Sequence, residues 1–331
     1  MKKNIAIVAG GDQSEVVVSL KSAQGLVSFI DKEKYNLYTV IIQQDNWRVE
    51  LDTPIGKQSI PIDKNDFSFD INGEKFLFDC AYITIHGMPG EDGKLQGYFD
   101  LINMPYTCCD VLSAALTFNK FVCNNYLRAF GIRVADSVML RKADKINADE
   151  IINRLQLPCF VKPNVGGSSF GVSKIKTAEE LLPAIEKAFS EGDQVIVERF
   201  MQGTEITCGM YRTDTKEVVF PITEVVSVNE FFDFDAKYNG QVEEITPARI
   251  SSELTKKVQK LTSEIYQLLG CKGIVRIDYI ITNNDEINLL EVNTNPGMTT
   301  TSFIPQQVRA AGLDIKKVMT DVIEFAILGN K

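Results

Sequence analysis

Three residues near the C-terminus, Asp278, Glu291 and Asn293, carry the oxygen ligands that hard cations bind. Segment 273–281 has the pattern of a buried strand with one acid, and segment 287–293 is typical of its hairpin partner across a polar turn. Because side chains alternate along strands, hairpin closure places all three ligands on one face. Mg²⁺ prefers such oxygens and is usually completed by water and substrate phosphates. The pattern predicts a magnesium site beside a nucleotide; the alternative is a hairpin whose carboxylates face solvent.

A glycine-rich loop follows another predicted strand, 159–162. Residues 162–171 read Lys-Pro-Asn-Val-Gly-Gly-Ser-Ser-Phe-Gly, so adjacent glycines let the backbone approach an anion while Ser168 and Ser169 add hydroxyl donors. This is not a Walker A motif, because its lysine precedes the glycines and no helix start follows. We predict a flap that closes over phosphates; a plain hairpin turn is the alternative.

Further residues suit a bound nucleotide. Lysines at positions 120, 162 and 237 would offset phosphate charge, although each alone is typical of a solvated surface. The segment from Glu198 through Phe200 and Met201 to a loop at Glu205 offers backbone groups for adenine and carboxylates for ribose. A solvated loop is the alternative for this segment.

The elements that position these residues form three predicted domains of α/β and α+β class. An N-terminal α/β domain, 1–112, has a β-α-β pattern that indicates a parallel sheet. A central α+β domain, 113–200, carries the flap, and a C-terminal domain, 201–331, carries the metal site and a polar loop at 227–245. The predicted strands are 5–8, 37–42, 81–85, 134–140, 159–162 and 195–198, with short strands or loops at 45–75, and the predicted helices are 15–29, 113–130, 177–189 and 254–268.

Composition excludes several classes of function. The 331 residues carry a net charge of −9, which argues against nucleic acid or an anionic membrane as the main partner. No apolar run is long enough to span a bilayer, and the start of the chain lacks a signal-peptide pattern. Seven scattered cysteines without paired metal spacing favour a reducing compartment, so we expect a cytoplasmic protein.

In their order along the chain, these motifs resemble the ATP-grasp superfamily and, within it, the D-alanine–D-alanine ligases. The segments that carry the resemblance are 10–19, 86–97, 105–107, 162–171, 236–238, 273–278 and 291–299. The resemblance implies an ATP-grasp fold behind an N-terminal parallel-sheet domain. It also implies that ATP phosphorylates one D-alanine carboxylate and the amine of a second attacks the acylphosphate. The product, D-alanyl-D-alanine, serves peptidoglycan synthesis, and therefore cell wall biogenesis and cell shape.

The resemblance also implies a role for each candidate residue. The implied ligands of two Mg²⁺ ions, for which Mn²⁺ can substitute, are Asp278, Glu291 and Asn293. The implied ATP-binding residues are Lys120, Lys162, Ser169, Glu198, Phe200, Met201, Glu205 and Lys237. The implied catalytic residues are Glu15, Ser168, Tyr238 and Arg276, and the implied substrate-binding residues are His86, Glu91, Gly297 and Ser302.

Among these, Arg276 would stabilise the acylphosphate, and Glu15 would pair with the ammonium of the first D-alanine. Glu15, Ser168 and Tyr238 would form a latch that excludes water. His86 is the single histidine, so a structural role is the alternative to lining the site. Family members are commonly homodimers through the N-terminal domain.

Other functions remain open at this stage. D-lactate or D-serine could be the second substrate, although Tyr238 after Lys237 favours an amine acceptor by resemblance. A nucleotide-binding protein without catalysis is a second alternative. A third alternative is a dinucleotide-dependent oxidoreductase. Its only support is Gly10-Gly11 after a predicted strand, and no G-x-G-x-x-G pattern follows. Cys108-Cys109-Asp110 departs from the family, which has a small glycine-containing turn there.

Overall fold

The computed structural model describes residues 2–12, 15–53, 56–167, 170–227 and 242–329, and three main sheets organise this part of the chain. The strands are β1 (Lys3–Gly10), β2 (Tyr35–Gln43), β3 (Asn46–Thr53), β4 (Gly56–Pro61), β5 (Phe69–Ile71), β6 (Glu74–Phe76), β7 (Cys80–Ile83), β8 (Ser137–Arg141), β9 (Cys159–Pro163), β10 (Ser173–Ile175), β11 (Gln194–Arg199), β12 (Gly203–Arg212), β13 (Glu217–Val219), β14 (Thr223–Ser227), β15 (Val242–Ile245), β16 (Val275–Thr282) and β17 (Glu286–Asn293). The α-helices are α1 (Val16–Phe29), α2 (Lys94–Leu101), α3 (Val111–Phe118), α4 (Lys120–Arg128), α5 (Ala148–Leu155), α6 (Leu181–Phe189), α7 (Ser252–Leu268), α8 (Phe303–Ala310) and α9 (Ile315–Gly329).

The first sheet has the strand order β4-β3-β2-β1-β7. β1 pairs in parallel with β2 and β7, as predicted, while β3 and β4 extend the sheet antiparallel. Parallel strands end at the same edge, so the segments after β1 and β7 emerge together. These segments carry Glu15 and His86, which places both residues at one edge of the sheet.

The second sheet is antiparallel, with the order β10-β9-β11-β8, and the predicted flap connects β9 to β10. α5 and α6 cover this sheet through a core that includes Leu155 and Ile185. The predicted capping box at Thr177 and Glu180 is present, although its first turn is a 3₁₀ helix, Ala178–Glu180, that precedes α6.

The third sheet has the order β15-β14-β12-β16-β17, with β13 paired to β12. β16 and β17 form the predicted hairpin and are joined through the 3₁₀ helix Asn283–Asp285. β15 corrects the expectation of a continuous polar loop at 227–245, because residues 242–245 pair with β14. Glu205 also lies within β12 rather than in a loop, since β12 begins at Gly203.

The single helix predicted over 113–130 was wrong, because the chain forms two helices there. α3 ends at Phe118 and α4 begins at Lys120, with Asn119 between them in an extended conformation. The side chain of Asn119 accepts a hydrogen bond from the amide of Val122, which caps α4. The strand predicted from Val134 begins instead at Ser137.

One hydrophobic core joins the first and third sheets. It packs α1 and β1 against α9 and includes Leu26, Ile7, Tyr211 and Met319. Shared burial of this kind holds α1, and Glu15 at its start, against the third sheet. Among the helices in the described part of the chain, none has the length and apolar character needed to cross a bilayer.

Candidate active site

The prediction that Asp278, Glu291 and Asn293 share one face of the β16–β17 hairpin is confirmed. Asp278 pairs with Glu291 and Arg276 pairs with Asn293, so the four side chains share one face. A bulge follows Asp278, where Tyr279 pairs with Leu289, and the bulge ends the regular pairing beside the acid.

Asp278 is buried within a dense set of hydrogen bonds. Arg276 donates from Nε to Oδ1 (2.9 Å) and from Nη2 to Oδ2 (2.7 Å), and Asn293 donates from Nδ2 to Oδ2 (3.0 Å). Burial opposes the charge of Arg276, but Asp278 and the more distant Glu291 and Glu91 raise the pKa of the guanidinium. Arg276 is therefore a permanent, positioned cation at this face.

Thr207 is a site residue that the sequence analysis missed. Its Oγ1 donates a 2.6 Å hydrogen bond to Oδ1 of Asp278 from β12, the strand that pairs with β16 on the other side. The sequence did contain a sign of this position. Thr207 is two residues after Glu205, and side chains two residues apart on a strand lie on the same face. Its hydroxyl fixes the carboxylate rotamer of Asp278.

Glu291 connects the hairpin to the flap through a lysine. Nζ of Lys120 lies 3.6 Å from Oε2 of Glu291 and donates a 2.5 Å hydrogen bond to the carbonyl of Gly166. Asn164 reinforces this junction by accepting from the amide of Phe121 (2.9 Å). The start of α4 therefore holds the flap beside the acidic hairpin.

Lys162 and Glu198 form an ion pair between neighbouring strands β9 and β11. Their Nζ and Oε2 atoms are 2.5 Å apart, and both side chains are largely buried. Burial opposes the charge of Lys162, but Glu198 outweighs it and raises the lysine pKa. Asn124, on α4, contacts the other carboxylate oxygen of Glu198 at 3.5 Å.

The remaining predicted nucleotide residues lie where the second and third sheets join. Phe200 follows β11, and its ring packs near Phe160, with Nζ of Lys174 4.2 Å from its centroid. Met201 is partly exposed in the short connection to β12. Glu205, on β12, is paired with Ile280 and is partly exposed.

Glu15 lies against the flap at the edge of the first sheet. It is the residue before α1 and is buried, and a Cβ atom added to Gly167 would lie 2.8 Å from its Oε1. Glu91 is nearby and accepts a hydrogen bond from the amide of Gly87 (2.7 Å). Loss of solvation and then repulsion by Glu15 raise the pKa of Glu91 to about 8.

His86 is buried and belongs to a polar chain that the sequence analysis did not foresee. Its Nε2 lies 3.3 Å from Oγ of Ser22, and this hydroxyl accepts a 3.2 Å hydrogen bond from the amide of Met298. Ser22 lies two helical turns after Glu15 along α1, so helical periodicity puts the two residues on the same face. That periodicity was the sequence feature that could have pointed to Ser22. Ser22 thus connects α1, His86 and the loop after β17.

The loop after β17 brings Gly297 and Ser302 together. Oγ of Ser302 accepts from the amide of Thr299 (3.0 Å), and a Cβ added to Gly297 would lie 3.0 Å from that oxygen. Ser302 immediately precedes α8, and Arg276 lies 5.3 Å from the ring centroid of Phe303 at its start. This loop therefore leads into α8 beside Arg276 of the hairpin.

The predicted site residues Ser168, Ser169, Lys237 and Tyr238 lie outside the described residues. The predictions made for them stay predictions.

The donors on the hairpin fit a divalent cation. Asp278 and Glu291 supply carboxylates and Asn293 supplies an amide, the oxygen chemistry that Mg²⁺ prefers. Within the described ranges, no cluster of three or more His, Cys, Asp or Glu side chains forms a complete metal site. The amide of Asn293 and oxygens of a substrate would therefore have to complete the coordination.

Comparison with known families assigns the chain. The sequence profile of the D-ala D-ala ligase N-terminus matches residues 4–109, and that of the D-ala D-ala ligase C-terminus matches residues 126–324. The chain belongs to the D-alanine–D-alanine ligase family.

Individual ligases of this family align over nearly the whole chain. A D-alanine--D-alanine ligase of Bacteroides fragilis (strain YCH46) is 66% identical over 324 residues, covering 98% of this chain and 99% of its own. A D-alanine--D-alanine ligase of Porphyromonas gingivalis (strain W83) is 55% identical over 325 residues, covering 98% of each.

Solved ligase structures share the fold. The VanG D-Ala:D-Ser ligase from Enterococcus faecalis superposes with a TM-score of 0.84 at 30% identity, covering 98% of this chain and 100% of its own. The D-alanine-D-alanine ligase from Coxiella burnetii gives a TM-score of 0.87 at 27% identity, covering 99% of this chain and 95% of its own. The predicted ATP-grasp fold with an N-terminal parallel sheet is confirmed.

Proposed function

We propose that this chain is an ATP-dependent carboxylate–amine ligase that joins two D-alanines through a D-alanyl phosphate. The dipeptide would serve peptidoglycan synthesis, and thereby cell wall biogenesis and cell shape. One observation carries the proposal: Arg276, Asp278, Glu291 and Asn293 share a hairpin face within a chain whose residues 4–109 and 126–324 match the ligase family.

The first half-reaction activates a carboxylate. A carboxylate is a poor electrophile at neutral pH, so transfer of the γ-phosphoryl group of ATP to its oxygen supplies a leaving group. Lys120 and Lys162 carry positive charge to the cleft between flap and hairpin, where phosphate charge would otherwise be uncompensated. Both lysines pair with carboxylates in this structure, so nucleotide binding would exchange Glu291 and Glu198 for phosphate oxygens.

Asp278, Glu291 and Asn293 would hold Mg²⁺, two ions by family resemblance, with Mn²⁺ as a substitute. The bound metal would supply Lewis-acid neutralisation of the triphosphate. Thr207 and Arg276 keep Asp278 in one rotamer, so that its oxygens are positioned before a ligand arrives.

The second half-reaction is attack by the amine of the second D-alanine on the acylphosphate carbon. Negative charge develops on the former carbonyl oxygen, and phosphate then leaves. Arg276 is the cation positioned for that charge, because Asp278 holds its Nε and Nη2 in a planar fork. The loop with Gly297 and Ser302 runs beside Arg276 and would receive the second substrate.

The first D-alanine would lie near Glu15, His86 and Glu91. The Glu15 carboxylate pairs with its ammonium, and contact of Glu15 with the flap at Gly167 couples substrate binding to closure. Closure would exclude water from the acylphosphate, with Ser168 and Tyr238 completing the latch. In the same proposal, Ser169 and Lys237 contact ATP phosphates, while Phe200, Met201 and Glu205 contact adenine and ribose.

We extend the proposal to the organisation of the protein. The three domains are 1–112, 113–200 and 201–331, and each of the three main sheets lies within one of these ranges. A homodimer would form through the first domain, where Leu101 is 84% exposed. All seven cysteines are free thiols, which supports a cytoplasmic location.

A substrate panel tests the proposed activity. ADP release is measured with Mg²⁺ and ATP, using D-alanine alone, L-alanine alone, and D-alanine mixed with D-serine or D-lactate. We expect turnover with D-alanine alone and a D-alanyl-D-alanine product by mass spectrometry. A clear preference for a mixed product with D-serine or D-lactate would overturn the second-substrate assignment, and ATP binding without D-alanine-dependent turnover would overturn the ligase itself.

A further inference from the structure

The backbone of β12 has a break in its strand pairing beside the proposed site. β13 pairs with residues 210–212 of β12, and β14 pairs with residues 205–207. Residues 208 and 209 therefore lie between the two partner strands, where a short connection leads from β13 to β14. Gly209 is buried here, and its amide hydrogen needs a partner because an unpaired buried N–H is costly.

Gln307, on α8, supplies that partner with its side-chain amide. Gln307 is fully buried, and its Oε1 accepts a hydrogen bond from the amide of Gly209 (3.0 Å). Its Nε2 donates to the carbonyl of Thr207 (3.0 Å) and to Oγ1 of Thr223, the first residue of β14 (3.1 Å). An amide side chain has the acceptor and donors of a peptide group, so Gln307 takes the place of a strand at the break.

α8 approaches β12 this closely because residue 209 is a glycine. A Cβ atom added to Gly209 would lie 2.3 Å from Cδ1 of Ile304 and 2.7 Å from Oε1 of Gln307. Both of these residues belong to α8, so the helix lies directly on the strand. The hydrogen bonds of Gln307 therefore fix where α8 lies on β12, and close packing leaves little room for another arrangement.

Gln307 contacts the two residues of β12 that pair with Asp278 and Arg276 of the hairpin. Thr207 pairs with Asp278, and Gly209 pairs with Arg276. Thr207 also donates from Oγ1 to Oδ1 of Asp278 (2.6 Å). The carbonyl of Thr207 thus accepts from Gln307 while its hydroxyl holds Asp278, so a single residue connects α8 to that carboxylate.

The start of α8 contacts the hairpin at a second point. Phe303 lies four residues before Gln307, so the two side chains project from one face of the helix. The ring centroid of Phe303 is 5.3 Å from the guanidinium of Arg276, and Ser302 immediately precedes the helix. The position of Ser302 relative to Arg276 therefore depends on where α8 lies on β12, which Gln307 determines.

We propose that Gln307 is a positioning residue for the second half-reaction, an inference that rests on the proposed function. It acts through β12 and α8, and it holds Ser302, the proposed contact of the second D-alanine, in place beside Arg276. Attack by the amine needs its nitrogen about 3–3.5 Å from the acylphosphate carbon, and a misplacement of about 1 Å can cost roughly 100-fold in rate. The proposed phosphate contacts Lys120 and Lys162 lie on α4 and β9 instead. Loss of the Gln307 amide should therefore impair the use of D-alanine and spare the binding of ATP.

Two variants separate the hydrogen bonds of Gln307 from its volume. Methionine has nearly the same length but lacks the amide, so in Gln307→Met the kcat/KM for D-alanine should fall about tenfold or more while the KM for ATP stays within about twofold. Glutamic acid restores both backbone bonds only when protonated, because its hydroxyl can then donate to Thr207 while its carbonyl accepts from Gly209. Burial favours that protonated form. The kcat/KM of Gln307→Glu relative to wild type should therefore rise as pH falls from about 8 to about 6, whereas the ratio for Gln307→Met should not change with pH.

Gln259→Met is the matched control. Gln259, on α7, is half-buried and donates from Nε2 to the carbonyl of Phe220 (3.1 Å), in the same connection between β13 and β14. The melting temperature should fall in both methionine variants, because each loses a hydrogen bond to this region. In Gln259→Met, however, kcat/KM for D-alanine should stay within about twofold of wild type. Hydrogen exchange of the Gly209 amide, measured without substrates, should become faster in Gln307→Met and remain unchanged in Gln259→Met.

The outcomes distinguish the role of Gln307 from the proposed function. Wild-type protein that releases no ADP in response to D-alanine would overturn the proposed function and, with it, this inference. With an active wild type, unchanged kcat/KM in Gln307→Met or an equal loss in Gln259→Met would overturn the role of Gln307 alone. So would a KM for ATP that rises as much as the KM for D-alanine. If Gln307→Met fails to fold, the pH dependence of Gln307→Glu decides: a rise towards low pH supports the role, and a constant ratio to wild type overturns it.

Discussion

Gly25 offers a decisive test of how α1 positions the loop after β17. Gly25 lies inside α1, where replacement of glycine by alanine ordinarily stabilises a helix by about 0.5–1 kcal/mol. Here an added Cβ would lie 1.9 Å from the carbonyl oxygen of Met298 and 3.3 Å from Cα of Thr299. The backbone of this loop cannot move aside as a flexible side chain would. We therefore expect Gly25→Ala to destabilise the protein, although the same change ordinarily stabilises a helix.

The magnitude follows from that distance. Real Cβ contacts do not fall below 3.0 Å, so helix and loop must separate by roughly 1 Å. Overpacking of this kind costs about 1–3 kcal/mol, and subtracting the helix gain of about 0.5–1 kcal/mol leaves a net loss of up to about 2.5 kcal/mol. The displaced loop leads to Ser302 and to Phe303, whose ring lies 5.3 Å from Arg276. A shift of about 1 Å in a positioning element can cost roughly 100-fold in rate.

The assay compares Gly25→Ala with Gly97→Ala, a matched change inside α2. The added Cβ at Gly97 would meet only a side-chain atom of Val111, at 3.7 Å, which is ordinary contact. We expect the melting temperature and kcat/KM for D-alanine to fall in Gly25→Ala, while Gly97→Ala melts at or above the wild-type temperature with unchanged kcat/KM. A Gly25→Ala protein that is at least as stable as wild type and within about twofold of its kcat/KM would refute the reasoning.

Three further predictions follow from the site. Glu291→Gln should abolish turnover at millimolar Mg²⁺ with little change in melting temperature, because an amide lacks the charge of a metal ligand; near-normal ADP release would contradict the metal assignment. Ser22→Ala removes the hydroxyl between His86 and the amide of Met298, so the KM for D-alanine should rise about tenfold while the KM for ATP is unchanged. Equal effects on both KM values would argue for general misfolding. Because the pKa of Glu91 is raised, the folded protein holds the proton on this carboxyl more tightly than the unfolded chain does. The free energy of unfolding of the wild type should therefore decline as pH rises from 4.5 towards 8. Glu91→Gln cannot ionise and should lack this slope in urea unfolding at pH 5 to 8; parallel slopes in the two proteins would exclude Glu91 as its source.

The hairpin shows what local pattern can predict. Alternation along β16 and β17 was enough to place Asp278, Glu291 and Asn293 on one face, because strand periodicity is independent of the rest of the fold. The same reasoning failed at Asn119. Helical periodicity continues through that residue, but its side chain caps α4 and interrupts the helix.

The sequence pattern did not predict which side chains pair between neighbouring strands. Lys162 and Glu198 were each assigned to a nucleotide from their positions in the sequence, and the structure shows that they also pair with each other. Thr207 was missed because its partner, Asp278, is 71 residues away on a neighbouring strand. Charge and spacing in the sequence indicate that a lysine can bind an anion. They do not indicate which protein side chain that lysine contacts when no ligand is bound.

By itself, the sequence determined the family, the order of the motifs and which hairpin side chains share one face, because these depend on residue type and on periodicity within single elements. Only the tertiary structure decided that Ser22 lies between His86 and Met298 and that Gly25 admits no side chain. Such contacts arise where separate sheets and helices share a core. No local pattern records them, because which surfaces meet depends on the packing of the whole chain.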